Sequence, residues 1–264
     1  MVEDMSNWIT KDLKPLTEEN LDLLINHKIP AIIEENFIPQ EICEAVGDRL
    51  KALEFANYNH LNEIPVFQVG LCHNQWAHDD KSIYFSKRDE ANKIIDDIYR
   101  DLNINPVQLV LDALERKAKR QANIFHEKGY GTYFAGAFRS FKGHGRLHAD
   151  HAPSHIHKEW AVTHIRNQLT WNIYYCTQAD GGDLLIYDTI HTSQNDKMKV
   201  TGEYYFPYDV LEREDHVRIK PKVGDFIMFN TQNFHEVLGS KEGHRISQTS
   251  FVGLRNDGSI GIWS

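Results

Sequence analysis

Apolar residues in the first half of the chain recur at helical spacing, with one strand-like interruption. A helix is predicted from Thr17 to Ile25, because threonine caps a first turn well and the acidic residues after it favour the helix dipole. The run Ala31–Phe37 predicts a short strand. The other predicted helices start after Pro39 with Ile42, Val46, Leu50 and Leu53 on one face, cover Asp89–Leu102, and extend from Val107 into residues 116–120.

From Tyr130 onward the apolar residues gather in short β-rich runs, separated by turn signals such as Asp180-Gly-Gly and Asn256-Asp-Gly. The predicted strands are Tyr133–Phe141, Leu169–Cys176, Leu184–Tyr187, Val217–Ile219, Phe226–Phe229 and Gln248–Leu254. Short strands without long helices between them are typical of a double-sheet barrel. The sequence therefore predicts an α+β fold, with a double-stranded β-helix (jelly-roll, cupin-like) core and N-terminal helices packed on one sheet.

No linker or repeat divides the 264 residues, so we predict one domain, mainly helical over residues 1–129 and jelly roll over residues 130–264. A formal net charge of -9 argues against a nucleic-acid partner, which would need a basic face. Cys43, Cys72 and Cys176 form no CxxC pair, and no apolar run approaches the ~18 residues of a membrane span. We therefore expect a cytoplasmic protein without a membrane partner, and the sequence leaves a homodimer open.

Histidine and carboxylate residues separated by one position are candidate metal ligands. About two such pairs are expected by chance from 15 histidines and 38 acidic residues in 264, so the spacing alone decides nothing. Three pairs occur: His78 with Asp80, His148 with Asp150, and His157 with Glu159. The second pair lies between predicted strands, where residues i and i+2 point to the same side. We favour it, because the first pair fits a solvated loop and the third a loop or short helix.

A third ligand is predicted at His235, which follows the apolar run Gly224–Phe229. Two histidines and one carboxylate are the ligand set of a non-haem Fe(II) site with an open face. A core histidine bonded to a carbonyl is the alternative. Arg245 and Ser247 follow with strand-like alternation, and a buried arginine needs an anion. Only Glu236 and Glu242 are near in sequence, so a bound dicarboxylate is the predicted partner.

These residues resemble the Fe(II)/2-oxoglutarate-dependent oxygenases. Further stretches are similar to the branch of carrier-independent aliphatic halogenases and their hydroxylase relatives: Trp171–Tyr175, Gly181–Asp188, Gly224–Val237 and Ile262–Ser264. The resemblance implies that His148, Asp150 and His235 hold the iron. It also implies that Arg245 and Ser247 bind the distal carboxylate of 2-oxoglutarate, which is used together with O2.

One position predicts the type of reaction. Halogenating members of the branch resemble the pattern His-x-Gly or His-x-Ala, where chloride takes the place of the carboxylate. Asp150 fills that place here, so we predict hydroxylation of an unactivated C–H bond with release of succinate and CO2. The open alternatives are a desaturase, epimerase or halogenase on the same iron, or a non-catalytic jelly-roll protein that binds metal or sugar.

The substrate is predicted to be a small molecule, with a free amino acid such as lysine as the first candidate. Five residues beside the metal strands could line its pocket: Arg139, His144, Thr170, Trp171 and Asn172. For each of them a structural role is the alternative, with Arg139 pairing across the sheet and Trp171 in the core. The aromatic segment Tyr204–Tyr208 is either a lid or a packed loop.

Overall fold

A computed structural model describes residues 6–53, 56–57, 66–141, 143–239 and 245–264. Within these ranges the helices are α1 (Glu18–Ile25), α2 (Gln40–Lys51), α3 (Lys81–Ile98), α4 (Pro106–Arg116) and α5 (Ala152–His155). The strands are β1 (Ala31–Glu34), β2 (Ala56–Asn57), β3 (Val66–Val69), β4 (Ala122–Ile124), β5 (His126–Glu127), β6 (Gly131–Thr132), β7 (Ala137–Phe141), β8 (Gly145–His148), β9 (Asn167–Cys176), β10 (Leu184–Ile190), β11 (His216–Ile219), β12 (Phe226–Asn230), β13 (Asn233–Val237), β14 (Arg245–Leu254) and β15 (Ile260–Trp263).

Two sheets carry the functional part of the chain. The larger sheet runs in the order β1-β12-β9-β14-β7-β3-β2, and β15 joins it through β14 and pairs with β4. The smaller sheet runs β11-β10-β13-β8. Apolar side chains from both sheets meet between them, including Tyr174 from β9, Ile186 from β10 and Ile227 from β12. The predicted α+β jelly roll is therefore confirmed.

Several predicted boundaries hold and others shift, for local reasons. Thr17 caps α1 by accepting the backbone N–H of Asn20, as predicted. The first strand ends at Glu34 instead of Phe37, because the chain turns through Asn36 with a positive φ of 52°. The helix expected at Asp89–Leu102 instead covers Lys81–Ile98, because the Asp80 side chain caps it through the N–H of Ser82. Helix starts depend on such single caps, which apolar periodicity does not reveal.

The first half of the chain contributes more strands than predicted. β1 pairs with β12 at one edge of the larger sheet, while β3 pairs with β7 on the other side. β4 runs parallel to β15. Residues 1–129 are thus not a separate helical layer, because their strands complete the sheet of the second half. Two further strands, β8 and β13, were also missed by the strand prediction, and they carry the candidate metal ligands.

The N-terminal helices pack on the outer face of the larger sheet, as predicted. Leu24 of α1, Val46 of α2 and Leu114 of α4 lie in one apolar cluster with Trp171 and Ile173 of β9. Because side chains alternate across a strand, Thr170, Asn172 and Tyr174 point to the opposite face, toward the smaller sheet. β9 therefore separates the helical core from the interior of the barrel.

A second core at one end of the barrel encloses a histidine. The ring of His73 meets Trp160 at 4.4 Å between centroids, and Tyr84 and Tyr133 at 5.3 and 5.5 Å. Burial lowers the pKa of His73 to about 3, so the imidazole is neutral at pH 7.

Within the described ranges we find neither a membrane-spanning helix nor a disulfide. None of the helices there has the length and apolarity needed to cross a bilayer. All three cysteines are free thiols, and Cys43 and Cys72 are buried.

We predict that His73 makes folding stability depend on acidity. Its pKa in the folded state lies below the unfolded value near 6.5, so the unfolded chain binds the proton more readily as pH falls. The stabilisation that the neutral His73 ring gives is complete above pH 6.5 and is lost progressively toward pH 3. Over this range the free energy of unfolding should fall by about a few kcal/mol because of this one group. Urea unfolding across this range should show a shallower loss for His73→Phe than for wild type. The exposed variant His164→Phe should follow wild type, and equal slopes for His73→Phe and wild type would contradict the assignment.

Candidate metal centre

Antiparallel pairing brings the two candidate histidines together. β8 pairs with β13 so that His148 lies directly opposite His235, and directly opposed residues of such a pair point to the same face. A turn at residues 231 and 232 separates β12 from β13. His235 therefore lies inside a strand of the smaller sheet. The sequence predicts that His235 follows the strand that ends at Phe229. In the structure the turn after that strand starts a new one, β13, and His235 belongs to it.

Asp150 is held beside this pair by its backbone. Its N–H donates to the carbonyl of Thr231 at 2.9 Å, and the Thr231 hydroxyl donates to the Asp150 carbonyl at 2.8 Å. Its Oδ2 then lies 3.8 Å from Nε2 of His148 and 3.8 Å from Nε2 of His235. All three ligand atoms lie within 4.8 Å of one another, so the three side chains could hold one metal ion together.

The Nδ1 atom of each imidazole is hydrogen-bonded to a backbone carbonyl, which leaves Nε2 of each ring available for a metal ion. Nδ1 of His148 lies 2.7 Å from the carbonyl oxygen of Arg146, and Nδ1 of His235 lies 2.9 Å from that of Asn233. A carbonyl only accepts, so each Nδ1 carries the proton and each Nε2 presents a lone pair toward Asp150. Metal-ligating histidines are oriented by this kind of outer hydrogen bond. The three residues therefore fit a divalent ion.

The charge states fit as well. Burial, reinforced by His148, lowers the pKa of His235 to about 3, so its ring is neutral at pH 7. Burial alone would raise the pKa of Asp150, but His148, His235 and Arg139 together hold it below the usual value. A neutral imidazole at His235 and an ionised carboxylate at Asp150 are protonation states that bind a metal ion.

A second group of His155, His191 and Asp196 fails the same test. Its ligand atoms also lie close together, with Nε2 of His191 2.8 Å and Nε2 of His155 3.8 Å from Oδ1 of Asp196. Burial lowers the pKa of His155 to about 4, and Nδ1 of its neutral ring accepts the backbone N–H of His151 at 3.5 Å. The proton of His155 therefore lies on Nε2, which leaves no lone pair there for a metal. Within this group, His191 and Asp196 form a hydrogen-bonded pair, and His155 lies beside them without a hydrogen bond to either residue.

The two other histidine-acid pairs, His78 with Asp80 and His157 with Glu159, make contacts that do not involve the metal centre. Asp80 caps α3. Glu159 is exposed and lies 3.5 Å from His164, while His157 faces the ring of His78. Neither pair gains a third ligand among the described residues. The choice of His148 and Asp150 is consistent with the geometry.

Arg245 and Ser247 lie on one face of β14, next to the metal centre. Arg245 is buried, its guanidinium donates to the Tyr174 hydroxyl at 3.1 Å, and it lies 4.9 Å from the centre of that ring. Gly182 makes room for it, since a Cβ there would stand 3.3 Å from Cδ of Arg245. Ser247 is buried, and its hydroxyl has no hydrogen-bond partner among the described residues. Such a hydroxyl suits a ligand oxygen.

A cavity of about 440 Å³, mouth included, connects the metal centre with Arg245. Three of the five predicted pocket residues line it: Arg139, Thr170 and Asn172. Two do not. Trp171 points into the helical core, because it alternates with its neighbours along β9. His144 lies outside and contacts Oε2 of Glu236 at 2.6 Å.

Glu236, one of the two acidic residues near Arg245 in sequence, accepts the hydroxyls of Tyr187 and Tyr208 at 2.5 and 2.8 Å. Glu242 lies outside the described residues. The Tyr204 hydroxyl accepts the N–H of Arg146 at 2.9 Å, and its ring packs edge-on against His148. The segment Tyr204–Tyr208 is thus a packed loop over the ligand strand.

The sequence prediction missed four groups at the site. Tyr174 supports Arg245, while Thr249 and Phe251 line the cavity from β14. His155 lines a second cavity beside Asp150. The period of two along β9 and β14 could have identified the first three once Arg245 and Asn172 were assigned to the inner face. No comparable signal marks His155.

Comparison with known proteins supplies the family. The family model described as carrier-protein-independent halogenase WelO5 matches residues 5–264. Leucinostatins biosynthesis cluster protein S of Purpureocillium lilacinum is 30% identical over 181 residues, which make up 66% of this chain and 73% of that protein. L-gamma-glutamyl-L-propargylglycine hydroxylase of Streptantibioticus cattleyicolor is 25% identical over 164 residues. The alignment covers 61% of this chain and 59% of that hydroxylase.

The fold matches a solved structure over most of its length. The N-substituted L-amino acid dioxygenase of Burkholderia ambifaria AMMD, solved with alpha-KG, gives a TM-score of 0.60 at 16% identity, covering 94% of this chain and 91% of that one. This likeness supports the jelly roll alone, whereas the family match extends over nearly the whole sequence. The chain therefore belongs to the family of carrier-protein-independent halogenase WelO5, a family of Fe(II)- and 2-oxoglutarate-dependent oxygenases.

Proposed function

We propose that His148, Asp150 and His235 hold the iron and that the enzyme hydroxylates an unactivated C–H bond of a small molecule. The observation that carries the assignment is the orientation of the two imidazoles. Each turns Nδ1 to a carbonyl and Nε2 toward the Asp150 carboxylate. The non-catalytic alternative is wrong, because the chain belongs to an oxygenase family.

Arg245 and Ser247 are proposed to bind the distal carboxylate of 2-oxoglutarate. The guanidinium offers a planar set of donors that matches a carboxylate. Tyr174 and Gly182 fix its position before the co-substrate arrives. The Ser247 hydroxyl, which has no partner among the residues that the structure describes, would gain one when the carboxylate binds.

When bound, ferrous iron with 2-oxoglutarate and O2 supplies the oxidation R–H + 2-oxoglutarate + O2 → R–OH + succinate + CO2. The protein residues would position the reactants next to one another in the cavity that reaches from the metal centre to Arg245. Asp150 would favour hydroxylation over halogenation, because its carboxylate would bind the iron in the place that a chloride ion would need. The desaturase, epimerase and halogenase alternatives differ from this proposal in the product they release.

An amino acid or amino-acid derivative is the proposed substrate class. The named activity of one relative, a hydroxylase acting on L-gamma-glutamyl-L-propargylglycine, supports this class. Free lysine, the first candidate from the sequence, is retained as a member to be tested. We also propose that the protein is cytoplasmic and forms a homodimer. The three free cysteines are consistent with a reducing compartment.

Removing one proposed ligand should weaken metal binding. We expect His235→Ala and Asp150→Ala to lose Fe(II) affinity by more than about 100-fold, since even partners outside the ligand set contribute 10- to 100-fold. Anaerobic titration followed by metal analysis measures this. His78→Ala is the matched control and should bind one ion per chain, as wild type does. Full occupancy in either ligand variant would remove that residue from the site.

Arg245→Ala should raise the 2-oxoglutarate concentration needed for half-maximal succinate formation by about 10- to 100-fold, the effect of losing a charged hydrogen-bonding partner. Ser247→Ala should raise it less, because a neutral hydroxyl contributes less. Iron content should stay at the wild-type level in both. An unchanged 2-oxoglutarate requirement in Arg245→Ala would disprove the carboxylate assignment.

Product mass distinguishes the proposed reaction from its alternatives. With an accepted amino-acid substrate, we expect the product to gain one oxygen atom, with no chlorine even in chloride buffer. A screen for substrate-dependent succinate can begin with lysine, ornithine, arginine and their acylated forms, followed by mass spectrometry. A product that lost two hydrogens, or gained chlorine, would replace hydroxylation with the corresponding alternative.

A further inference from the structure

A second cavity lies beside the metal centre. It measures about 340 Å³ including its mouth, and Asp150 and Phe251 border both this cavity and the one that leads to Arg245. We name it the histidine cavity, after the polar residues that line it together with Trp263: His73, Asn74, His151, His155 and Gln168. A molecule in this cavity would lie beside Asp150, one of the proposed iron ligands.

Three imidazole nitrogens of the histidine cavity are buried and have no hydrogen-bond partner within the part of the chain that the structure describes. These are the Nε2 atoms of His73, His151 and His155. His73 is almost fully buried, and its ring is fixed by aromatic contacts. Buried polar atoms in folded proteins are nearly always paired, and each exception needs an explanation. A ligand that supplies the missing partners explains three exceptions in one cavity.

Two of the lining groups can be identified as donors. Nδ1 of His155 accepts the N–H of His151, so Nε2 of His155 carries its proton. Oε1 of Gln168 accepts the N–H of Ala152 at 2.7 Å, so the amide NH2 is the end left for the cavity. Both groups call for an oxygen acceptor on the ligand.

The charge of the lining favours the same ligand. Asp150 is the one carboxylate among the lining residues, and its charge is directed to the iron in the proposed site. An ammonium group placed here would meet the donors of His155 and Gln168 without a carboxylate of its own. It would lose its hydration, and the two nearest carboxylates are engaged elsewhere, Asp150 by the proposed iron and Asp196 by His191 at 2.8 Å, which is unfavourable for a charged group.

We propose that the histidine cavity binds an oxygen acceptor of the substrate, a carboxylate or an amide carbonyl, and rejects an ammonium group. The substrate end that enters this cavity is therefore a carboxylate or an acylated nitrogen. A free lysine side-chain amine does not fit here. This inference rests on the proposed function, because it assigns the cavity to the substrate of the iron site.

Ligand-observed and histidine-detected NMR can test the proposal directly. The protein is loaded with Zn²⁺ as a diamagnetic substitute for iron, saturated with 2-oxoglutarate, and labelled with ¹⁵N-histidine. Three probes of similar size are added separately: propionate, propionamide and propylammonium. We expect the His155 spectrum to show its proton on Nε2, and this signal to shift with propionate, propionamide or both, but not with propylammonium. Comparison of propionate with propionamide shows whether the cavity prefers a carboxylate or an amide oxygen.

Variants locate the response. His155→Phe should weaken binding of the accepted probe by at least tenfold, read from the His73 and His151 signals, and the exposed variant His164→Phe should not. The proposal is overturned if His155 carries its proton on Nδ1, if propylammonium binds as well as the other probes, or if none of the three binds. Zinc content and 2-oxoglutarate binding in the same samples test the iron site separately, so the two failures are distinguishable.

Discussion

The pairing of β8 with β13 is the constraint on which the site depends. It places His148 opposite His235 at the end of the smaller sheet, and the same backbone segments provide the carbonyls that receive both Nδ1 protons. Strand geometry therefore sets both the distance between the imidazoles and the nitrogen that each presents. The chain continues from His148 to Asp150, whose backbone is bonded on both sides to Thr231 in the turn before β13. One ladder and one turn thus position all three candidate ligands.

The larger sheet supports this arrangement because its outer face packs against the helices and its inner face lines the cavity. Side chains on the outer face of β9, such as Trp171, bury apolar surface against α1, α2 and α4. Inner-face residues such as Asn172 and Tyr174 reach the cavity or Arg245. The helices add apolar burial, which dominates stability, while the inner face keeps the polar groups needed for ligands. The fold can therefore retain buried polar groups such as the Ser247 hydroxyl, which has no hydrogen-bond partner in the described ranges.

Most of the fold and the core of the site could be predicted from sequence, and the misses have physical causes. Alternating β-rich runs and turns indicated the jelly roll, and the inner face of β14 followed from the spacing of Arg245 and Ser247. β8 and β13 escaped because their polar ligand residues interrupt the apolar pattern. Trp171 was assigned to the pocket although strand alternation places it on the opposite face from Thr170 and Asn172.

The histidine cavity could not have been predicted, because it forms from segments distant in sequence. His73 comes from the first half of the chain, His155 from the short helix after the ligand pair, and Trp263 from the last strand. Hydrogen-bond direction was equally invisible in the sequence. It distinguishes the candidate metal centre from the cluster of His155, His191 and Asp196, although both groups contain two histidines and an aspartate.

The central claim is that iron binds at the end of the β8–β13 ladder with 2-oxoglutarate directed toward β14. A crystal structure of the protein grown anaerobically with Fe(II) and 2-oxoglutarate tests it most directly. The account predicts one ion bonded to Nε2 of His148, Nε2 of His235 and a carboxylate oxygen of Asp150, with the distal carboxylate on Arg245. Iron bound instead by His155, His191 and Asp196, or 2-oxoglutarate lying away from Arg245, would contradict it.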